Sequence, residues 1–301
     1  MTEDQAKRCG YAAILGAPNA GKSTLLNRMV GAKLSIVSPK VQTTRTKVLG
    51  IQVKDQAQII YVDTPGIFRP KRRLDRAMVA AAWTGAADAD QVVLLVDAVD
   101  GFTDDVRSIV AELKKQKRRA VLALNKIDAL KRDRLLALAQ ALDAEGIFDQ
   151  IFMISALTGD GVEDLERHLI AHMPAGPWLF PEDQMSDMPQ RLLSSEVTRE
   201  QLYLQLHDEL PYEATVETET WEEFKDGSAK IRQIIFVQRD SQKAIVLGKG
   251  GQRIKKLSER ARAELETMFE RRVHLFLFVK VRENWLEDRE RFQAIGLDFD
   301  T

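Results

Sequence analysis

The chain has 301 residues, 44 Lys and Arg against 45 Asp and Glu, a net charge of −1 and 45% hydrophobic residues. Such a make-up suits a globular protein with more than one core, and the near-neutral total excludes nucleic-acid binding by bulk charge alone. No apolar run reaches the roughly 20 residues that span a bilayer; residues 1–8 are too polar for a secretory signal, and the lone Cys9 excludes an internal disulfide or zinc cluster, so a reducing, cytoplasmic setting is expected.

In chain order, the first expected strand, 11–15, runs into Gly16, Ala17, Pro18, Asn19, Ala20, Gly21, Lys22 and Ser23, and a helix opens at Thr24. A strand, a loop bounded by glycines and a Lys-Ser pair at a helix start predict a phosphate-binding loop. Its backbone N–H groups face phosphate oxygens, and the positive end of the helix adds to their field. Lys22 is placed to reach the β- and γ-phosphates and Ser23 to ligate magnesium. The polar stretch 35–47 offers Thr43 and Thr44 as candidates for a second hydroxyl on the metal, Thr44 being favoured.

Strands are expected at 48–53 and 58–62, the latter ending on Asp63, Thr64, Pro65 and Gly66. An Asp at a strand end beside the Ser23 hydroxyl suits a water-mediated magnesium contact, and a glycine lets its N–H approach a γ-phosphate. Ile67 follows, where an apolar side chain cannot orient water. The segment 67–78 is expected to be a second switch, and its basic run of Arg69, Lys71, Arg72, Arg73 and Arg76 is read as a solvated face.

Strands at 92–96, 120–124 and 151–154 are nearly all apolar, as in central strands covered on both faces, with amphipathic stretches at 104–117 and 132–144 between them. This alternation predicts an α/β fold with a mainly parallel six-stranded sheet flanked by helices, and ligands at the carboxyl ends of its strands. Asn125, Lys126, Ile127 and Asp128 follow one such end. A carboxylate at Asp128 can accept from guanine N1–H and its exocyclic amine, donors that adenine lacks. Lys126 can lay its stem on the base, and a backbone N–H of Ser155 or Ala156 can meet guanine O6.

Pro174, Pro177, Pro181 and Pro189 mark a linker over 175–190, dividing a first domain, 1–174, from a second, 191–301. Beyond it a helix is expected at 192–210, strands at 214–224 and 229–237, a helix at 252–269 and a strand at 273–281; the apolar run 244–247 is too short to classify. Eight Lys and Arg against two acids between Arg239 and Arg262 predict a basic face. Within it lies Gly248, Lys249, Gly250, Gly251, a loop that lets an RNA backbone approach, flanked by Ile245, Arg253, Ile254, Lys255 and Lys256.

The nucleotide motifs occur in the order of the GTPase family and, with Ile67, resemble its Era-like, translation-associated branch. The second domain resembles a type II KH domain of α+β fold. The resemblance implies slow GTP hydrolysis dependent on magnesium, with Lys22, Thr44, Gly66 and Asn19 in catalytic roles, Asn19 through a potassium ion. It also implies stimulation by RNA or a ribosomal partner, binding to the 3′ region of 16S rRNA on the 30S precursor, and peripheral association with the cytoplasmic membrane. A monomer is expected.

Overall fold

The computed structural model describes residues 7–40, 43–206, 210–283, 285, 289, 292 and 297–300. They form two compact units: Ile36–Thr43 and Met188–Ala294 make the second, and the rest of the chain the first.

The first unit is built on a six-stranded sheet in the order β2-β3-β1-β4-β5-β6. Its strands are β1 (Arg8–Leu15), β2 (Val48–Lys54), β3 (Ala57–Asp63), β4 (Gln91–Asp97), β5 (Ala120–Asn125) and β6 (Phe148–Met153). Only the β2–β3 hairpin is antiparallel. The apolar run of β4 is buried because helices cover both faces of the sheet. The helices are α1 (Lys22–Val30), α2 (Arg73–Ala87), α3 (Asp104–Lys115), α4 (Arg132–Asp143) and α5 (Val162–His172). In α3 the physics is plain: the Thr103 hydroxyl caps Val106 N–H at 3.4 Å, acids open the helix and lysines close it. Val106, Ile109, Val110 and Leu113 then bury one stripe.

The strand order reverses beside β1, so the loop after β1 lies at the topological switch point where open α/β sheets bind ligands. The carboxyl ends of β1, β3 and β5 thereby bring three distant sequence segments together.

Residues 175–187 of the expected linker lie along the first unit's sheet. Ile51 N–H donates to Met185 O at 2.8 Å and the Ser186 hydroxyl to Leu49 O at 2.7 Å, covering the β2 edge. Buried Gln58 accepts from Leu179 and Phe180 N–H and donates back to Phe180 O at 2.8 Å.

The second unit has α6 (Gln190–Gln205), β7 (Thr215–Glu223), β8 (Ala229–Val237), α7 (Asp240–Leu247), α8 (Gln252–Phe269) and β9 (Val273–Val281). β8 pairs antiparallel with β7 and parallel with β9. Leu257, Ala261 and Leu265, one helical face of α8, are buried against the sheet.

Several boundaries differ from expectation. The helix expected at 192–210 ends at Gln205, and residues 207–209 lie outside those described. The run 244–247 is the end of helix α7, which Asp240 and Gln242 begin from the polar side. The last sheet strand is Phe148–Met153 rather than 151–154. α2 has no clear apolar stripe because it packs through Ala77, Met78, Ala82, Gly85 and Ala86. A Cβ on Gly85 would already stand 3.3 Å from Val62. Among the described residues no helix is long and apolar enough to cross a membrane.

Candidate nucleotide and RNA sites

The loop of Gly16 to Ser23 joins β1 to α1 with Gly21 in the left-handed region, φ 97°. A side chain there would collide with the Asn125 amide, so the turn requires glycine. Asn19 also has positive φ, 61°, which asparagine tolerates. Lys22 is buried and donates to Gly16 O at 3.1 Å and Ala17 O at 2.9 Å, inside the loop. Burial pulls its ammonium down to about 8, with Asp63 opposing the shift. A phosphate brought into the loop would reverse that depression.

Ser23 Oγ stands 2.8 Å from both Thr44 Oγ1 and Asp63 Oδ2. Ser35 Oγ donates to the same Asp63 oxygen at 2.9 Å. The other oxygen, Oδ1, is buried with no hydrogen-bond partner. Burial pushes the Asp63 carboxyl up, while Lys22 and the three hydroxyls pull it back. A buried carboxylate oxygen without a donor is costly unless a cation meets it, and two hydroxyls at hydrogen-bond distance complete an all-oxygen set suited to magnesium. Thr44, not Thr43, faces this cluster. Thr43 Oγ1 instead bonds Ser38 at 2.9 Å and Lys40 O at 2.7 Å, and its carbonyl accepts from Arg199.

Thr64 and Pro65 carry the chain from β3 to Gly66, whose Cβ position would lie 2.9 Å from Pro18. The Thr64 hydroxyl ties this turn to Ile14 O at 2.8 Å, and Ile67 N–H donates to Gly16 O at 3.0 Å. The Ile67 side chain is 5% exposed within the main core, so it offers nothing to a reacting water.

Asn125 joins three loops. Its amide donates to Ala20 O at 2.7 Å and accepts from Ala156 N–H at 2.8 Å, all buried. Lys126, at φ 68°, pairs with Asp97 at 2.5 Å. Ile127 N–H is held by Ile154 O at 3.3 Å, and Asp128 is exposed on the following turn. The N–H groups of Ser155 and Ala156 both already have acceptors, Asp160 O and Asn125 Oδ1. The next N–H along the loop is that of Leu157.

Four residues of this site carry no motif signal. Asn27 binds Leu34 N–H, Ser35 N–H and Ser35 O, holding the start of the Thr44 loop. Arg28 donates to Ala156 O at 2.6 Å and to Leu157 O, fixing the base-side loop. Ser35 and Asp97 complete the set. Their roles depend on partners far along the chain, which spacing cannot reveal.

The 35–47 loop divides between the units. Ser35 and Thr44 stay with Asp63, whereas Ile36–Thr43 packs with the second unit. There Val37 N–H donates to Glu200 at 2.7 Å, and Lys40 donates to Leu206 O.

In the second unit, Gly248, Gly250 and Gly251 all have positive φ, 71°, 59° and 76°. A Cβ on Gly248 would meet Arg253 Cβ at 2.7 Å. Lys249, Lys255 and Lys256 are exposed around this turn, as is Ile245. Arg253 donates to Ile245 O at 2.6 Å, so it braces the two helices across the loop. A groove of about 400 Å³ runs between α8 and β9, with Ile254 and Leu275 in its wall and Lys255, Arg262 and His274 at its rim. Phe276 stands 48% exposed beside it. Arg262 belongs to the expected basic run, whereas His274 and Phe276 lie past it, because β9 reaches the groove only through its pairing with β8.

A family model described as "50S ribosome-binding GTPase" matches residues 11–126, and a KH domain model matches 209–286. GTPase Era of Sinorhizobium medicae is 58% identical over 292 residues, 97% of this chain and 94% of the relative. GTPase Era of Caulobacter vibrioides is 55% identical over 315 residues and covered in full. Two solved structures, each 36% identical, span 96% of this chain and 99% of theirs. One is a point variant of Aquifex aeolicus Era bound to GDP·AlF4−, with a TM-score of 0.91. The other is Era with MgGDPNP and nucleotides 1506–1542 of 16S ribosomal RNA, with a TM-score of 0.92.

Proposed function

Since this chain belongs to the Era family of GTPases, we propose that its two sites form a GTP-controlled clamp for the 3′ region of 16S rRNA on the 30S precursor. The chain is a GTPase. The observation that carries the control is the divided loop: Thr44 shares hydrogen bonds with Ser23 and Asp63, while its neighbour Thr43 is held by Arg199 of helix α6. Any ligand that changes how Thr44 is held beside Ser23 acts on a loop whose residues 36–43 belong to the second unit.

In this reading Lys22 leaves Gly16 O and Ala17 O for the β- and γ-phosphates, and backbone N–H groups from Asn19 to Thr24 surround the α- and β-phosphates. Ser23, Thr44 and Asp63 would hold magnesium, which would supply neutralisation of the phosphate charge. Gly66 presents its N–H to the γ-phosphate, the approach that nearby Pro18 leaves open only to glycine. Because Ile67 is buried, unaided hydrolysis is slow, and potassium at Asn19 is the group proposed to supply the lost stabilisation. Asp128 selects guanine, Lys126 covers its face, and the loop from Ser155 to Leu157 binds O6. RNA threads over Gly248 to Gly251 into the α8–β9 groove, where Ile254 and Phe276 contact bases and Lys255, Lys256 and Arg262 contact phosphates. The proposed division is 1–174, the bridging 175–190, and 191–301, working as a monomer in the cytoplasm.

Hydrolysis measured with and without the 3′ segment of 16S rRNA tests the clamp. Stimulated turnover, and RNA affinity that differs between GTP-analogue and GDP forms, are the expected results. Equal affinities at saturating nucleotide would remove the gating. Asp128→Asn should exchange GTP for XTP preference, and equal rates in sodium and potassium would remove the role of Asn19.

A further inference from the structure

The basic run 69–76 has no place in either site, and its position is unusual. It crowds the amino end of α2, the positive end of a 15-residue helix, where cations are unfavourable. Arg69, Lys71, Arg72 and Arg76 are exposed, and none forms an ion pair among the described residues. The carboxylate in this turn, Asp75, is buried and accepts the Lys71 and Arg72 N–H groups at 3.0 Å. A face that merely needs solvation gains nothing from such a site; a polyanion gains both the side chains and the helix field.

A second observation shows what chemistry the patch takes. Within the same unit, the Phe299 ring lies 4.3 Å from the Arg73 guanidinium. Asp298 and Asp300 flank Phe299 in the sequence, and Asp298 Oδ1 accepts Asp300 N–H at 3.0 Å. A flat ring between two anions resembles a base between two phosphates, and arginine stacks on either.

We propose that the α2 patch is a second RNA site, which binds phosphates of a single strand with a base stacked on Arg73, and that residues 298–300 compete for it. A strand on this patch is favoured over an anionic membrane, because no large apolar side chain is exposed from 68 to 80 to enter a bilayer. The proposal rests on the RNA-binding reading above and extends it to the helix that follows the Gly66 turn. RNA held there would bear directly on the nucleotide site.

The test is the salt dependence of binding, by fluorescence anisotropy, of the full chain to an oligonucleotide spanning nucleotides 1506–1542 of 16S rRNA. Arg69→Gln, Arg72→Gln and Arg76→Gln together should lower the slope of log K against log salt by about 2 and weaken binding at least ~10-fold. Deleting residues 298–301 should strengthen it severalfold. Lys255→Gln with Lys256→Gln marks the KH groove separately. No binding by the unaltered chain would sink the RNA reading itself. Binding with an unchanged slope in the triple variant would overturn the α2 site alone, and unchanged affinity on truncation would overturn the competition. A triple variant that loses only adsorption to phosphatidylglycerol vesicles would give the patch to a membrane and overturn the proposal. Should circular dichroism show the triple variant unfolded, Arg76→Gln alone should still change the slope by about 0.7.

Discussion

Asn125→Ala removes a side chain that ties the loop of Ala20 to the loop of Ala156. Two buried hydrogen bonds vanish, at 2.7 and 2.8 Å, leaving Ala20 O and Ala156 N–H without partners at a position 2% exposed. Two such bonds, each about 1 kcal/mol net, together with the stranded groups, amount to roughly 2–4 kcal/mol. Gly21 packs against this amide, so the cavity left behind adds to that figure. Guanine nucleotide binds only when the three loops are in register, so most of the loss should appear as affinity, a factor of about 30 to 1,000. A fluorescent GDP analogue, titrated by anisotropy, measures it. Thermal unfolding of the nucleotide-free protein, which takes the smaller share, should fall by no more than about 5 °C. Asn125→Asp keeps an acceptor for Ala156 N–H but turns a carboxylate oxygen on Ala20 O, so it should bind nucleotide no better than the alanine variant. Near-normal affinity and melting for Asn125→Ala would refute the idea that this amide organises the pocket.

Gly66→Ala should impair the γ-phosphate turn, because its Cβ would press on Pro18 at 2.9 Å; stopped-flow binding should show GTP affinity falling more than GDP affinity. Gln58→Leu strips three hydrogen bonds that join residues 179–180 to the sheet, and a fourth from the Cys9 thiol on the neighbouring strand. Limited proteolysis should then cut within 175–187 well before the rest of the chain, and equal cleavage rates would count against the strap. The His168 imidazole, packed at 5.2 Å from Phe152 and 4.1 Å from His172, is held below the usual histidine range by burial and then by its neighbour's charge. Its unfolded form binds the proton more readily, so stability is lost as pH falls through about 6.5, and the loss levels off below the folded value. His168→Gln should melt with a shallower decline between pH 7.5 and 5.5; parallel curves would contradict this.

Much of the nucleotide site is local, and so could be read from order and spacing. Gly21-Lys22-Ser23 at a helix start, Asp63 to Gly66 after one strand, and Asn125 to Asp128 after another each carry their own chemistry. Thr44 is already favoured over Thr43 from the sequence, but the reason lies in the fold, where one hydroxyl meets Ser23 and the other Ser38. Helix α2 stayed hidden because alanine and glycine bury its face without a periodic apolar signal.

Residue identity alone therefore set the expected chemistry: which loops suit phosphate, which carboxylate suits guanine, and which glycine turn leaves room for an RNA backbone. Those capacities depend on the conformational range and charge of a few consecutive residues. Chain folding decided the couplings, since they join atoms that sequence separates widely. Asp63 with Ser35, Arg28 with Ala156, Thr43 with Arg199 and Arg73 with Phe299 meet only because parallel strands and packed helices bring them within a hydrogen bond or a ring's width.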